Sequence, residues 1–245
     1  MHKLLTDAAR TLAPPKGDRH GPLPPLMLVL TVATGLVDAV SYLGLGHVFV
    51  ANMTGNVVFL GFALAGAEGL SVLASLVSMA AFLAGALVGG RFTHRFAAHR
   101  GHLLAATVAL EAVLVTAAAV TAAATHSEVN TGVRYTLIVL LGLAMGLQNA
   151  AARRLGVPDL TTTVLTLTLT GLAADSTAAG GAAPRPGRRI LSVLAIFFGA
   201  LIGAELVLGS RLALTLGLVV VLLAATSLAA YRLSAPNADW TKPQS

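Results

Sequence analysis

The chain has 245 residues, of which 56% are hydrophobic and only 11% are charged. A soluble domain of this composition would have a largely apolar surface, so the composition excludes a soluble protein and predicts an integral membrane protein. The formal net charge of +6 does not predict nucleic-acid binding, because the basic residues lie at the ends of apolar segments and form no basic face.

Six apolar segments are long enough to cross a bilayer, and we predict that they form six transmembrane helices in an all-α fold. Residues 1–25 and 233–245 are expected to be polar cytoplasmic tails on either side of a single membrane domain, residues 26–232. The first tail lacks the apolar core of a signal peptide. The six predicted spans are residues 26–42, 70–90, 102–124, 135–152, 190–209 and 212–231.

Two further apolar segments, residues 53–67 and 160–174, have only 15 residues each, whereas a spanning helix needs about 20. Both follow polar, turn-prone stretches. Short segments at matching places in the two halves of a transporter are typical of half-helices beside the substrate site. We therefore predict two re-entrant half-helices that enter from opposite faces and whose tips meet deep in the membrane.

The distribution of positive charge favours this topology. If both short segments return to the face that they entered, 14 of the 16 Lys and Arg residues lie on one side of the membrane, whereas only 10 do so if all eight segments cross. Lys and Arg near helix ends are concentrated on the cytoplasmic side. The sequence therefore predicts six spans with both termini in the cytoplasm.

Residues 26–124 and 135–232 form a weak internal repeat in which two motifs recur in the same order. The first is a glycine followed three residues later by Asp or Asn, and the second is a pair of glycines four residues apart. They are Gly35 with Asp38 and Gly146 with Asn149, then Gly85 with Gly89 and Gly199 with Gly203. Three spans in each half would make the repeats inverted, and the glycine pairs predict close packing between the halves.

Asp38 lies 12 residues into its predicted span, about 18 Å from the start at 1.5 Å per residue. An ionised Asp at the membrane centre costs about 2.5–3.5 kcal/mol, so Asp38 is either a proton or cation site or a protonated group that bonds a neighbouring helix. Gln148 and Asn149 are neutral candidates at the equivalent place. Glu111 and Glu205, the other acidic residues within spans, are candidate proton-relay steps with Asp38.

Polar residues near the start of each short segment are candidate groups for binding a solute or an ion. The N-terminus of a half-helix is partly positive, and the carbonyl groups before it can bind cations. The alternative is that these residues only cap the helix or bond their own backbone. The candidates are Asn52, Thr54, Gly55 and Asn56 in the first segment and Asp159, Thr162, Thr163 and Thr166 in the second.

The sequence contains no cysteine and none of the common motifs for hydrolysis, nucleotide binding or zinc binding. We therefore predict no catalytic residue, no cofactor and no metal site, and expect that the chain is not an enzyme. Its expected partners are the lipid bilayer and an unidentified small solute or ion. The oligomeric state is left open.

Three stretches of this sequence, residues 35–43, 52–58 and 146–164, resemble the YoaK-like family of bacterial inner-membrane proteins, whose function is unassigned. The resemblance covers about residues 26–231 and implies a multi-pass protein of the bacterial plasma membrane. Just after the third stretch, in the second half of the chain, Thr166-Leu167-Thr168 stands where the family pattern has Thr-Gly-Thr. If a glycine is needed there for close approach of the backbone to a ligand, this difference implies that the second half-site is impaired or reshaped.

These features together predict a small-solute or ion transporter that is proton-coupled through Asp38. Two alternatives stay open. Paired half-helices can also line a passive channel. The chain could instead be a non-transporting membrane scaffold or accessory subunit, in which the polar motifs only cap and pack helices.

Overall fold

The computed structural model describes residues 2–96, 98–125, 129–163, 165–234 and 238–242. Within these ranges the chain is helical and has no strand. The described part contains α1 (His2–Leu12), α2 (Leu23–Ala39), α3 (Met53–Leu64), α4 (Val72–Arg95), α5 (Arg100–Ala124), α6 (Thr131–Leu155), α7 (Leu165–Ala174), α8 (Pro186–Leu208) and α9 (Leu212–Leu233).

Six of these helices are long and apolar enough to cross a bilayer: α2 with the π-helical turn Val40–Gly44 that continues it, α4, α5, α6, α8 and α9. The prediction of an all-α protein with six spans is confirmed. The first span begins earlier than predicted, at Leu23. Pro24 and Pro25 are accommodated in its first turn, where backbone N–H groups have no helical partner.

The two terminal tails are more structured than the sequence predicts. Residues 2–12 form α1, which packs on the start of α8, where the Asp7 carboxylate accepts a hydrogen bond of 3.0 Å from the backbone N–H of Arg188. In the other tail Trp240 is buried. The buried Arg100 guanidinium donates to the carbonyl groups of Trp240 and Leu155, so it joins the C-terminal segment to the ends of α5 and α6.

Close contacts give the relative directions of the long helices. Gly199 and Gly203 of α8 lie against Val32 and Leu36 of α2, so these two helices are parallel. The same kind of contact, from Gly142 to Ala81 and from Gly146 to Ala86, makes α6 parallel to α4.

Helices α5 and α9 are antiparallel. The Ser227 hydroxyl donates to the Ala105 carbonyl over 2.9 Å, and the ring of His102 faces that of Tyr231. Helices α8 and α9 are joined by only three residues, 209–211, and α6 is antiparallel to α5 through the contact between Arg100 and Leu155. Helices α2, α5 and α8 therefore run one way through the bundle, and α4, α6 and α9 run the other way.

These directions constrain the two short helices. We call the end at which α4, α6 and α9 finish the basic end, because Arg95, Arg154 and Arg232 lie there, and the other the distal end. The segment with α3 begins and ends at the distal end, and the segment with α7 begins and ends at the basic end. Had α7 crossed the membrane, α8 would begin at the distal end and α9 would run back towards that end. Helix α9 would then be parallel to α5, whereas the two are antiparallel. Entry of the short helices into the membrane stays a prediction.

Equivalent glycines of the two halves make equivalent contacts. A Cβ atom added to Gly35 would collide with the backbone of α8, and one added to Gly146 would collide with the backbone of α4. Gly85 and Gly199 press in the same way on the backbones of α6 and α2. Helix α2 thus pairs with α8 as α6 pairs with α4.

The outer surface of the bundle is apolar, and its centre is formed by α2 and α6, the most buried spans. Large side chains on α4 and α8 face outward, with Leu83 67% exposed, Leu87 60% and Phe197 55%. Such a surface is suited to contact with lipid rather than with water.

The helix directions predict which residues share a side of the membrane. Single cysteines in place of Glu68 and Arg211 should react with a membrane-impermeant maleimide from one side, and cysteines in place of Arg154 and Thr177 from the other. The native chain has no cysteine, so each variant reports one position. Labelling of permeabilised cells, in which all four should react, is the control. Glu68 and Arg211 on opposite sides, or Arg154 and Thr177 on opposite sides, would contradict the arrangement.

The glycine contacts predict a stability difference between matched substitutions. Gly85→Ala and Gly199→Ala place a methyl group against the backbone of a neighbouring helix, and we expect each to lower the free energy of unfolding by about 1–3 kcal/mol. Gly61→Ala and Gly217→Ala are the controls, because their added Cβ atoms meet open space. Thermal unfolding in detergent measures the effect. Equal melting temperatures for Gly85→Ala and Gly217→Ala would refute it.

Candidate functional site

The turn before α3 and the first residues of α3 together form the distal tip, residues 49–56, which one buried side chain holds against α4. The Asn56 amide accepts from the Phe49 N–H over 2.9 Å and donates to the Phe49 carbonyl and to the Ser78 hydroxyl. The Ser78 hydroxyl donates to the same carbonyl over 2.6 Å. Asn56 therefore fixes the shape of the distal tip.

The other candidates of the distal tip have different environments. Asn52 and Thr54 are exposed, and Asn52 stands at the start of α3 without a capping hydrogen bond from its side chain. At Gly55 a Cβ atom would come within 2.8 Å of the Phe49 ring, so glycine permits the close approach. The structure thus brings Asn56 into the packed interior and leaves Asn52 and Thr54 at the surface.

The turn before α7, residues 156–163, is the basic tip, and it is tied to α6 and α2. The buried Gln148 amide donates to the hydroxyls of Thr34 and Thr162, over 2.9 and 3.1 Å. The Thr163 hydroxyl donates to the Asn149 side-chain carbonyl over 2.7 Å, and the Asn149 amide donates to a backbone carbonyl one turn earlier. Four of the predicted residues, Gln148, Asn149, Thr162 and Thr163, therefore meet in one place.

The threonines of α7 follow helical period rather than the strand-like alternation of their sequence. Thr166 is exposed, and Thr168, which was not a candidate, is buried. Thr168 is the buried residue of α7 as Asn56 is the buried residue of α3. A repeat alignment extended through the short segments would have identified it.

The anchor points of the two tips lie at different levels of the bundle, and contact between the tips stays a prediction. Ala81 of α4 is level with Gly142 of α6, so Ser78, which holds the distal tip, is level with about residue 139. Gln148, which holds the basic tip, is about nine residues further along α6. At 1.5 Å per residue the two anchor points are about 14 Å apart along the bundle.

Asp159 anchors the basic tip to α8 through ion pairs. Its carboxylate lies 2.8 Å from the Arg185 guanidinium and 2.9 Å from that of Arg189, which also pairs with Asp175 and donates to the Gly171 carbonyl at the end of α7. Burial alone would raise the pKa of the Asp159 carboxyl, but the hydrogen bonds and charges of the two arginines outweigh it and hold the pKa below its usual value. Asp159 is thus engaged within the protein.

Asp38 lies between the middle of its span and the distal end. It is six residues before the end of the Leu23–Gly44 span, about 9 Å along the helix axis. Asp38 follows Thr34 by four residues and shares its helix face, which meets Gln148. Its Oδ1 atom is buried and has no hydrogen-bond partner among the described residues.

Glu111 is fully buried in α5, and neither of its carboxyl oxygens has a hydrogen-bond partner in the described part of the chain. The Thr107 hydroxyl, one turn earlier, is in the same situation. Glu205 is exposed on α8 and does not share this burial. Buried polar groups normally have partners, so the Asp38 and Glu111 carboxyls have capacity for a proton, a water molecule or a cation that these parts of the protein do not supply.

A cavity of about 860 Å³ lies at the basic end between α4, α6 and the basic tip. Two of the candidate residues, Asn149 and Thr163, line it. The sequence analysis did not select the other polar residues of its wall, although Arg153 and Arg154 follow soon after the Asn149 motif. These other residues are Thr93, Arg153, Arg154 and Thr161. Phe82, Ala86 and Ala150 form part of an apolar wall. A cavity of this size can hold a metabolite.

Comparison with known proteins agrees with this architecture. The model of a family described as "Protein of unknown function (DUF1275)" matches residues 26–229, which include nearly all of the six spans. The chain belongs to this family. The resemblance to YoaK-like proteins is confirmed, and the family's description assigns it no activity.

A curated relative supports membership in the DUF1275 family. The "UPF0700 transmembrane protein YoaK" of Bacillus subtilis (strain 168) is 34% identical over 151 residues. This match covers 61% of the present chain and 65% of the relative, so the chain spans somewhat less than two thirds of that protein. No solved structure matches the chain.

The ion pairs of Asp159 predict a pH-dependent loss of stability. Asp159→Asn should lower the free energy of unfolding by about 1–2 kcal/mol at neutral pH, between the values for exposed and buried ion pairs. Because folding lowers the pKa of Asp159, its stabilisation is complete above the ordinary Asp pKa of about 3.9 and is lost as the pH falls through the lower folded value.

Unfolding of the purified protein and of Asp159→Asn should be compared from neutral pH to below about pH 4. The difference between them should persist down to that pH and shrink in more acidic solution. Glu68→Gln, at an exposed acidic residue, is the control and should show little difference at any pH. A difference that grows as the pH falls would contradict the ion-pair account.

Proposed function

We propose that this DUF1275 protein is a transporter of a small solute or ion, with two re-entrant short helices in inverted repeats. The helix directions support the repeats, because the α3 and α7 segments each begin and end at one end of the bundle, and these ends are opposite. The equivalent glycine contacts of the two halves support them further. The excess of Lys and Arg supports a cytoplasmic position for the basic end and both termini. The similarity to a transmembrane protein of Bacillus subtilis supports a bacterial plasma membrane.

The observation that carries the proposal is the cavity beside the basic tip. Transporters with inverted repeats bind their solute beside interrupted helices, where backbone and polar side chains face a water-filled space. The cavity reaches Asn149, six residues before the end of α6, which is about 9 Å along the helix. A space with a polar wall at one end of an apolar bundle is what a transporter presents when it is open to that side.

Proton coupling is assigned to Asp38. Asn149 occupies the equivalent place in the other half, and its side chain is engaged by Met145 and Thr163. Asp38 differs in being titratable and in having a buried carboxyl oxygen without a partner among the described residues. Uptake of a proton by Asp38 removes a charge from the bundle, and such a change can favour one conformation over another. Of the two candidate relay residues, Glu111 is the better supported, because it is buried and Glu205 is exposed.

A membrane scaffold is the second candidate, and specific contacts favour it. Asn56, Thr163 and Asp159 are engaged within the protein, as polar residues that only hold the tips would be. A passive channel lined by both tips is less well supported, because their anchor points are about 14 Å apart along the bundle.

Solute uptake by proteoliposomes separates these functions. The chain should be reconstituted with an imposed pH gradient, and uptake of radiolabelled anions, sugars, nucleobases and aromatic acids should be measured. We expect one class to accumulate with the gradient, and Asp38→Asn to reduce that accumulation at least about tenfold, because Asn cannot take up a proton. Glu68→Gln, at an exposed acidic residue outside the spans, is the control and should transport normally.

Each other result overturns part of the proposal. Uptake that ignores the pH gradient would indicate a passive channel. Gradient-driven uptake that survives in Asp38→Asn would remove Asp38 from the coupling step. No uptake of any class by protein that is folded and correctly inserted would favour the scaffold.

A further inference from the structure

The cavity at the basic end has an unequal distribution of charge. Arg153 and Arg154 contribute to its wall, and no Asp or Glu does so. Asp159, the acidic residue of the basic tip, is paired with Arg185 and Arg189. A positive potential in a cleft with apolar walls raises the local concentration of anions and repels cations.

The hydrogen-bond donors around the cavity are also unequal in availability. The Thr93 hydroxyl donates to the Gly90 carbonyl, and the Thr163 hydroxyl donates to Asn149. Within the described part of the chain, no hydrogen bond or ion pair engages the guanidinium groups of Arg153 and Arg154. Five donors on each planar guanidinium suit the oxygens of a carboxylate, sulfonate or phosphate group.

The apolar part of the cavity wall determines what else the ligand must contain. Phe82, Ala86 and Ala150 offer an apolar surface to which water binds weakly. A bare inorganic anion would leave this surface and most of the 860 Å³ unfilled. An anion with an attached hydrocarbon or aromatic group suits both the basic and the apolar part of the cavity wall.

We propose that this cavity is a binding site for a small organic anion, with its acidic group at Arg153 and Arg154 and its apolar part against Phe82 and Ala86. Small organic anions would then be the substrate class of the proposed transporter, so this inference rests on the proposed function. The same chemistry occurs in the headgroup of an anionic lipid, so the experiment must separate a soluble anion from a lipid.

Gly90 provides a reporter in the cavity wall. A side chain added there meets no other atom within 4 Å, so Gly90→Cys adds a single thiol to a chain without cysteine. The rate of reaction of this thiol with N-ethylmaleimide, an uncharged reagent, measures access to the cavity. Lys16→Cys, in an exposed position outside the cavity, is the control for direct effects of the ligand on the reagent.

The ligand probe is benzenesulfonate, and its matched neutral control is benzenesulfonamide. We expect benzenesulfonate to slow the labelling of Gly90→Cys and to leave Lys16→Cys unaffected, while benzenesulfonamide protects neither. Adding Arg153→Gln and Arg154→Gln to Gly90→Cys should raise the half-protecting concentration at least about tenfold. Arg232→Gln, at an exposed arginine of the same end, should leave it unchanged.

Other outcomes overturn the proposal. Equal protection by the sulfonate and the sulfonamide would mean that charge does not select the ligand, and protection that survives the double arginine substitution would place the anion elsewhere. The full chain in phosphatidylcholine nanodiscs, with and without phosphatidylglycerol, tests the lipid source. Protection by phosphatidylglycerol alone would assign the cavity to a lipid headgroup. Protection by benzenesulfonate without solute uptake would keep the site and refute transport.

Discussion

The close backbone contacts of α2 with α8 and of α4 with α6 are the constraint on which the rest of the structure depends. In a bilayer the lipid chains are as apolar as leucine, so helices associate through close packing and through buried polar bonds. Gly35, Gly146, Gly85 and Gly199 provide the packing, since none of them has room for a Cβ atom. These contacts make each pair parallel. Since α9 is antiparallel to both α5 and α8, and α6 is antiparallel to α5, α2 and α4 are antiparallel and both ends of the α3 segment lie at one end of the bundle.

The short helices depend on this frame and have little packing of their own. The buried residues of α3 and α7 are Asn56 and Thr168, and their other described side chains are exposed to varying degrees. The tips are instead held by polar bonds to the long helices. The distal tip uses one amide that pairs with a backbone group, whereas the basic tip uses a glutamine, a threonine and the ion pairs of Asp159. The two tips are thus held in place by different chemistry.

The buried polar side chains of the bundle differ in whether they have hydrogen-bond partners. Thr34, Ser78 and Arg100 are buried with partners, as expected where water is absent. Asp38 and Glu111 are exceptions in the described residues, since each has a buried carboxyl oxygen without a partner. Exceptions of this kind reduce stability without an evident packing gain, which is why they are the strongest pointers to function inside the bundle.

The sequence alone determined the class of the protein, its six spans and its family, because long apolar runs have few solutions in a membrane and the motifs at Gly35, Asn52 and Gly146 are specific. It also selected Gln148, Asn149 and Thr163 as candidates, and the structure places all three at the basic tip. Only the tertiary structure decided that Asn56 is bonded within its own turn, that Arg100 is buried, that Glu205 faces outward and that Arg153 and Arg154 line a cavity. The physical reason is that composition and period report how much of a segment avoids water, whereas the partner of each polar group depends on which helices touch and in which direction they run.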